Sequence, residues 1–178
     1  MSRKVSRLII FVILITLTMT NIAYAQPTTN RVSPYGPKVE DLKNKEDIIK
    51  TLQDIKRIRA NLTVMNITES STPEELKSID KDLEYYIEQF NTIRKNLDNH
   101  KLTYKDSFSD VFFSDQILFI ADSFIISLRQ QQNLVRGLEK NKDEAKKLFY
   151  SSYLIPVYYY FTLGDNMTSY IETYFVLS

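Results

Sequence analysis

The side chains able to do chemistry in this chain are few. His100 is the sole histidine, and cysteine is absent from the 178 residues. A Cys-His nucleophile, a Cys/His zinc site, c-type haem attachment and the paired Glu-x-x-His motifs of di-iron bundles all need more than that. A serine triad would have to recruit His100, and no nucleophile motif accompanies it. His100 falls in a polar stretch, Asp98 to Thr103, where the expectation is a turn with a solvated side chain. Carboxylates are plentiful, as in Glu40-Asp41, Glu46-Asp47, Glu74-Glu75 and Asp80, Asp82, Glu84. None has the spacing of a calcium loop. They suit solvated helix faces and helix starts, where negative charge favours the dipole. Two carboxylates flanking a sugar would need a cleft that a narrow helical bundle does not offer. The expectation is a protein that is not an enzyme and uses neither a metal nor a cofactor.

The first residues bear on location. Arg3, Lys4 and Arg7 precede an apolar run from Leu8 to Leu17, and Ala23-Tyr24-Ala25 closes the segment. That order is a secretory signal peptide with an A-x-A cleavage site. An uncleaved membrane anchor needs about 18 apolar residues, and Thr16, Thr18, Thr20 and Asn21 interrupt the run. Without cysteine there is no lipoprotein route, and without adjacent arginines no twin-arginine signal. The sequence therefore predicts a signal peptide over 1–25 and export to a periplasm, a lumen or the extracellular space. Cleavage leaves 153 residues, enough for one domain with a real core. Three of the 23 basic residues leave with the leader and none of the 22 acidic ones, so the mature balance is about −2. A near-neutral chain with no basic patch predicts no nucleic-acid partner. An exported chain without cysteine is held by packing alone.

Positions 26–37 hold three prolines and a glycine without periodicity and read as a flexible N-terminal arm. The remainder, 38–178, reads as one helical domain with no strand-like alternation. A first helix spans Val39 to Asn66, with Leu42, Ile48, Leu52, Ile55, Ile58, Leu62 and Met65 on one face. The second opens on Thr72-Pro73-Glu74-Glu75, which offers an N-cap, a proline at the first helical position and a capping-box glutamate. Leu76, Ile79, Leu83, Tyr86, Phe90, Ile93 and Leu97 follow at alternating spacings of three and four, a seam for shallow-angle packing. A third helix runs from Asp106 to Leu138. A fourth begins at Asn141 or Asp143, kinks at Pro156 and ends at Gly164-Asp165, where a short C-terminal helix restarts. Short connections predict an all-α, antiparallel up-down four-helix bundle.

The two halves differ in their surfaces. The third helix carries Ile117, Ala121, Phe124 and Leu128 on one side, and Phe112, Phe119 and Ile126 nearly opposite, flanked by Asp115, Asp122 and Arg129. Projected at 100° per residue, the fourth puts Phe149, Ser152, Pro156, Tyr159 and Leu163 toward the core. Tyr150, Leu154, Val157 and Phe161 form a second stripe behind them, with Tyr158 between. Large apolar faces of this kind mark interfaces, and tyrosine suits them because its ring buries area while its hydroxyl keeps a partner.

The predicted partner-binding residues are accordingly Phe112, Phe119, Ile126, Tyr150, Leu154, Tyr158 and Phe161. The expected partner is another protein or a second copy, including a membrane-associated complex, and the expected role is that of an accessory or assembly subunit. The alternative is a carrier holding a small apolar ligand in a pocket lined by Phe124, Tyr158, Tyr159 and Tyr160. In layout the chain resembles exported helical subunits such as the lumenal PsbQ-like proteins of photosystems.

Overall fold

The computed structural model describes residues 36–62, 67–68 and 70–176. The expected signal peptide and most of the expected arm lie outside them. Five α-helices and no strand occur among the described residues: α1 (Lys45–Asn61), α2 (Pro73–Thr103), α3 (Phe108–Lys140), α4 (Lys142–Leu148) and α5 (Ile155–Val176). A 3-10 turn at Val39–Asp41 precedes α1, and a π-helical turn at Phe149–Leu154 separates α4 from α5.

Local chemistry sets the helix starts. The Asn44 side chain accepts from the Asp47 N–H and starts α1 there, six residues later than the periodicity implied. The first apolar residues, Val39 and Leu42, are buried from the 3-10 turn instead. At α2 the Thr72 hydroxyl accepts from the Glu75 N–H while the Glu75 carboxylate accepts from the Thr72 N–H, a reciprocal capping box. Ser107 caps α3 by accepting from the Asp110 N–H, and Asn141 caps α4 by accepting from the Glu144 N–H.

α3 is the central helix. It is long and apolar enough to cross a bilayer by length and composition, but 56% of that stretch is buried within the chain. Against α2 it pairs Lys101 with Asp115, Arg94 with Asp122, Phe90 with Phe124, and Asp80 with Gln132, at intervals down both helices. Against α5 the Ser127 hydroxyl donates to the Val157 carbonyl at 2.8 Å, and the Phe124 and Phe161 rings meet at 6.1 Å. Nearer the chain's end, Phe113 packs on Tyr174 and Phe175. The predicted core side of α3, namely Ile117, Ala121, Phe124 and Leu128, is fully buried.

The α4–α5 region corrects the sequence reading in two ways. First, Phe149 packs on the core as expected, but beyond it the inward face moves to the stripe predicted to lie outside. Val157 and Phe161 are buried, while Ile155 and Tyr159 are exposed. A regular α period carried on from Ala145 drifts to Ser152, Pro156 and Tyr159. The π turn takes up about one extra residue, so the inward positions become Phe149, Tyr153, Val157 and Phe161, each four apart. The wider turn ends beside Pro156, which has no N–H to close a regular turn on Ser152. Second, α5 does not stop at Gly164 but continues to Val176. A Cβ at Gly164 would lie 2.6 Å from Cε1 of Phe124, so this glycine admits a close helix–ring approach and does not terminate a helix.

Candidate functional site

The predicted interaction residues divide when placed on the structure. On α3, Phe119 is exposed while Phe112 and Ile126 are half-buried. Phe112 leans on Phe108 and Phe113 and stands edge-on to Tyr174 at 6.5 Å. On α5, Tyr158 is exposed, as expected for a surface residue. Leu154 is only half-buried, in the π turn, and the Tyr150 side chain lies outside the described residues. Phe161 is a correction: it is 3% exposed and belongs to the core, against Phe124 and under the Arg59 guanidinium. Of the face predicted to pack inward, Ser152 and Tyr159 are turned to solvent, while Phe149, Pro156 and Leu163 are half-buried. The carrier pocket fares similarly, since Phe124 is fully buried among rings whereas Tyr158 and Tyr159 point outward, so these side chains do not line one cavity.

The solvent face of α5 has an unusual composition. Its exposed residues are Ile155, Tyr158, Tyr159, Thr162, Asn166, Ser169, Tyr170 and Thr173, none of them charged. The helix has two acids, and both are engaged across to α1. Arg59 Nε and Nη2 donate to the two oxygens of Asp165, each at 2.8 Å, and Lys56 pairs with Glu172. Arg59 also donates to the Leu62 carbonyl at 3.0 Å, and its guanidinium sits 4.8 Å from the Phe161 centroid. A planar fork suits this combined bidentate and stacking arrangement, which lysine would not reproduce. Solvent-facing residues of α2 include Glu84, Glu88, Lys81 and Lys95, the usual charged back of a helix.

A second cluster lies at the end of the domain where α1 begins, α2 ends and α3 begins. The polar stretch around His100 is helical, because α2 continues to Thr103. His100 is therefore buried in the last turn, and its Nε2 lies 3.0 Å from Oδ1 of Asp110, a fully buried carboxylate. Asp110 also accepts from the Lys43 N–H at 2.8 Å, from the Asn44 N–H at 3.3 Å and from the Ser107 hydroxyl. Burial raises the Asp110 pKa, but the Lys43, Ser107, His100 and Asn44 donors outweigh it and hold the carboxyl below its ordinary value. An ionised carboxylate only accepts, so Nε2 donates and fixes the ring. The His100 ring packs on Tyr104 with centroids 4.6 Å apart.

Chemically, this cluster resembles the Asp-His half of a triad, yet the hydroxyl present, Ser107, bonds the carboxylate and not the imidazole. The bonds on Asp110 join three chain segments, which is a clamp. No group of three or more His, Asp or Glu side chains suited to a metal occurs among the described residues. No single-sequence signal marks the pair, since His100 falls in a stretch that reads as a turn and Asp110, ten positions on, reads as one more polar residue at the start of a helix.

Comparison with known protein families, with curated proteins and with solved structures finds no match for this chain.

Proposed function

We propose that the chain is an exported, non-enzymatic helical-bundle protein that acts as an accessory or assembly subunit, binding a protein partner through the outer faces of α3 and α5. In this reading α1, α2, α3 and α5 form an antiparallel up-down four-helix bundle, bent where the π turn meets Pro156. The pairs Lys101–Asp115 and Arg94–Asp122, Phe124–Phe161 and Phe113–Tyr174, and Arg59–Asp165 and Lys56–Glu172 support opposite senses for neighbouring helices. The leader at 1–25 supports export.

The observation that carries the binding role is the uncharged, tyrosine-bearing outer face of α5. A helix of 22 residues is about 33 Å long, and a solvated helix of that length ordinarily carries charges on its outer side. Interface centres are depleted in charge and enriched in tyrosine, the composition seen here. Phe119 and the half-buried Phe112 and Ile126 extend the apolar character onto α3.

The double variant Tyr158→Glu/Tyr159→Glu tests this. Both side chains are exposed, so the melting temperature should hardly move, surface changes being worth about ±0.5 kcal/mol. Affinity purification of the tagged protein from its own membranes should recover a defined partner, and the variant should recover about tenfold less, as for loss of interface anchors. Equal recovery by a folded variant would exclude this face.

A further inference from the structure

Among the described residues, the two most exposed large apolar side chains are Leu102, at 73%, and Phe108, at 74%. They sit on either side of one short turn, on the last turn of α2 and the first of α3. The His100–Asp110 clamp lies directly behind that turn and ties it to the start of α1. The protruding side chains are therefore presented from a fixed support. The chain also enters the domain at this end: Gly36 abuts the Tyr174 ring, and Lys43 and Asn44 bond Asp110.

We infer that the Leu102–Phe108 end docks on the surface of a phospholipid bilayer. The size of the feature decides between a protein and a lipid occupant. A stable protein interface buries about 800 Å² on each partner, and a large side chain supplies about 150–250 Å². Two isolated protrusions are too little for a protein groove. They suit the headgroup–acyl boundary, which needs no complementary shape. Lys105 and Asp106, exposed between them, balance in charge, so the attraction is apolar and does not depend on anionic lipid. Such a tip is weak alone and gains effective concentration from any second attachment to the same surface. Docking at this end leaves the side of the domain, with the outer face of α5, free for a protein.

The chain contains no tryptophan, so Phe108→Trp provides a single reporter. The full chain with this substitution is mixed with phosphatidylcholine vesicles carrying a doxyl quencher in the acyl region, and Tyr85→Trp on mid-α2 serves as the comparison. The expected result is a blue-shifted emission and strong quenching for Phe108→Trp, little change for Tyr85→Trp, and about tenfold weaker vesicle binding when Leu102→Ser is added. Emission from Phe108→Trp that stays at the water-exposed wavelength on vesicle-bound protein would overturn the inference, as would equal quenching at both positions. Neither result bears on the Tyr158/Tyr159 face.

Discussion

Replacing Asp110 with alanine is expected to destabilise the domain by about 3 kcal/mol, the scale for stripping the acceptor from several buried or partly buried donors. The carboxylate is fully buried and accepts from the Lys43 and Asn44 N–H groups, the Ser107 hydroxyl and His100 Nε2. Alanine leaves those donors without an acceptor, and each unsatisfied buried group costs about 1–3 kcal/mol. The N–H groups are only partly buried, so water recovers some of the loss and the total stays well below the sum over all four donors. Asp115→Ala is the contrast. It removes an ion pair of similar sequence spacing, Lys101–Asp115, on a half-exposed surface, and should cost less than about 1 kcal/mol. Urea unfolding of the three proteins gives the ranking.

The same cluster fixes a pH dependence. The folded-state pKa of Asp110 lies below its unfolded value, so ionisation stabilises the fold above about pH 4, where the unfolded carboxylate is also charged. That contribution is lost as pH falls through the lower folded value. Asp110→Asn has nothing to titrate there. Its stability is lower at neutral pH and declines less between pH 4 and pH 2 than that of the unaltered chain.

Phe124→Ala is expected to cost about 3–5 kcal/mol, the range for truncating a buried aromatic. Phe124 is fully buried and joins the helices: it meets Phe90 of α2 at 5.4 Å, Phe161 of α5 at 6.1 Å and the Arg59 guanidinium of α1 at 5.7 Å. Gly164 makes the prediction sharper. Gly164→Ala alone should destabilise, because its Cβ meets the Phe124 ring at 2.6 Å and overpacking costs about 1–3 kcal/mol. Within the Phe124→Ala background that clash is gone. The alanine then contributes only its helix propensity, about 1 kcal/mol relative to glycine, so the same substitution changes sign. A double-mutant cycle by thermal or urea unfolding reads the coupling directly.

The parts legible in the sequence were those set by neighbouring residues. Thr72 to Glu75 announced the start of α2 through capping chemistry alone, and the buried face from Leu76 to Leu97 followed from regular spacing. α5 was misread because two of its inward positions, Gly164 and Thr168, are not apolar, so the stripe Val157, Phe161, Gly164, Thr168, Ile171 shows gaps. The π turn then shifted the phase by about one residue, and no local composition reports such an insertion. On α3, by contrast, an unbroken α period placed Phe112, Phe119 and Ile126 away from the fully buried Phe124 side. His100 was hidden for a different reason. Its burial depends on Asp110 and on the backbone of Lys43, contacts made only when three segments converge.

These observations give the end of the domain a rigid clamp and its side an uncharged aromatic face. The most direct test of the proposed partner role is contact mapping with a photo-cross-linking residue placed singly at positions 119, 155, 159 and 162, and at 50 and 84 as comparison. The account predicts adducts to one partner at the α3 and α5 positions and none at Lys50 or Glu84. Adducts confined to Lys50 or Glu84, or none at any position in folded protein kept in its own membranes, would contradict it.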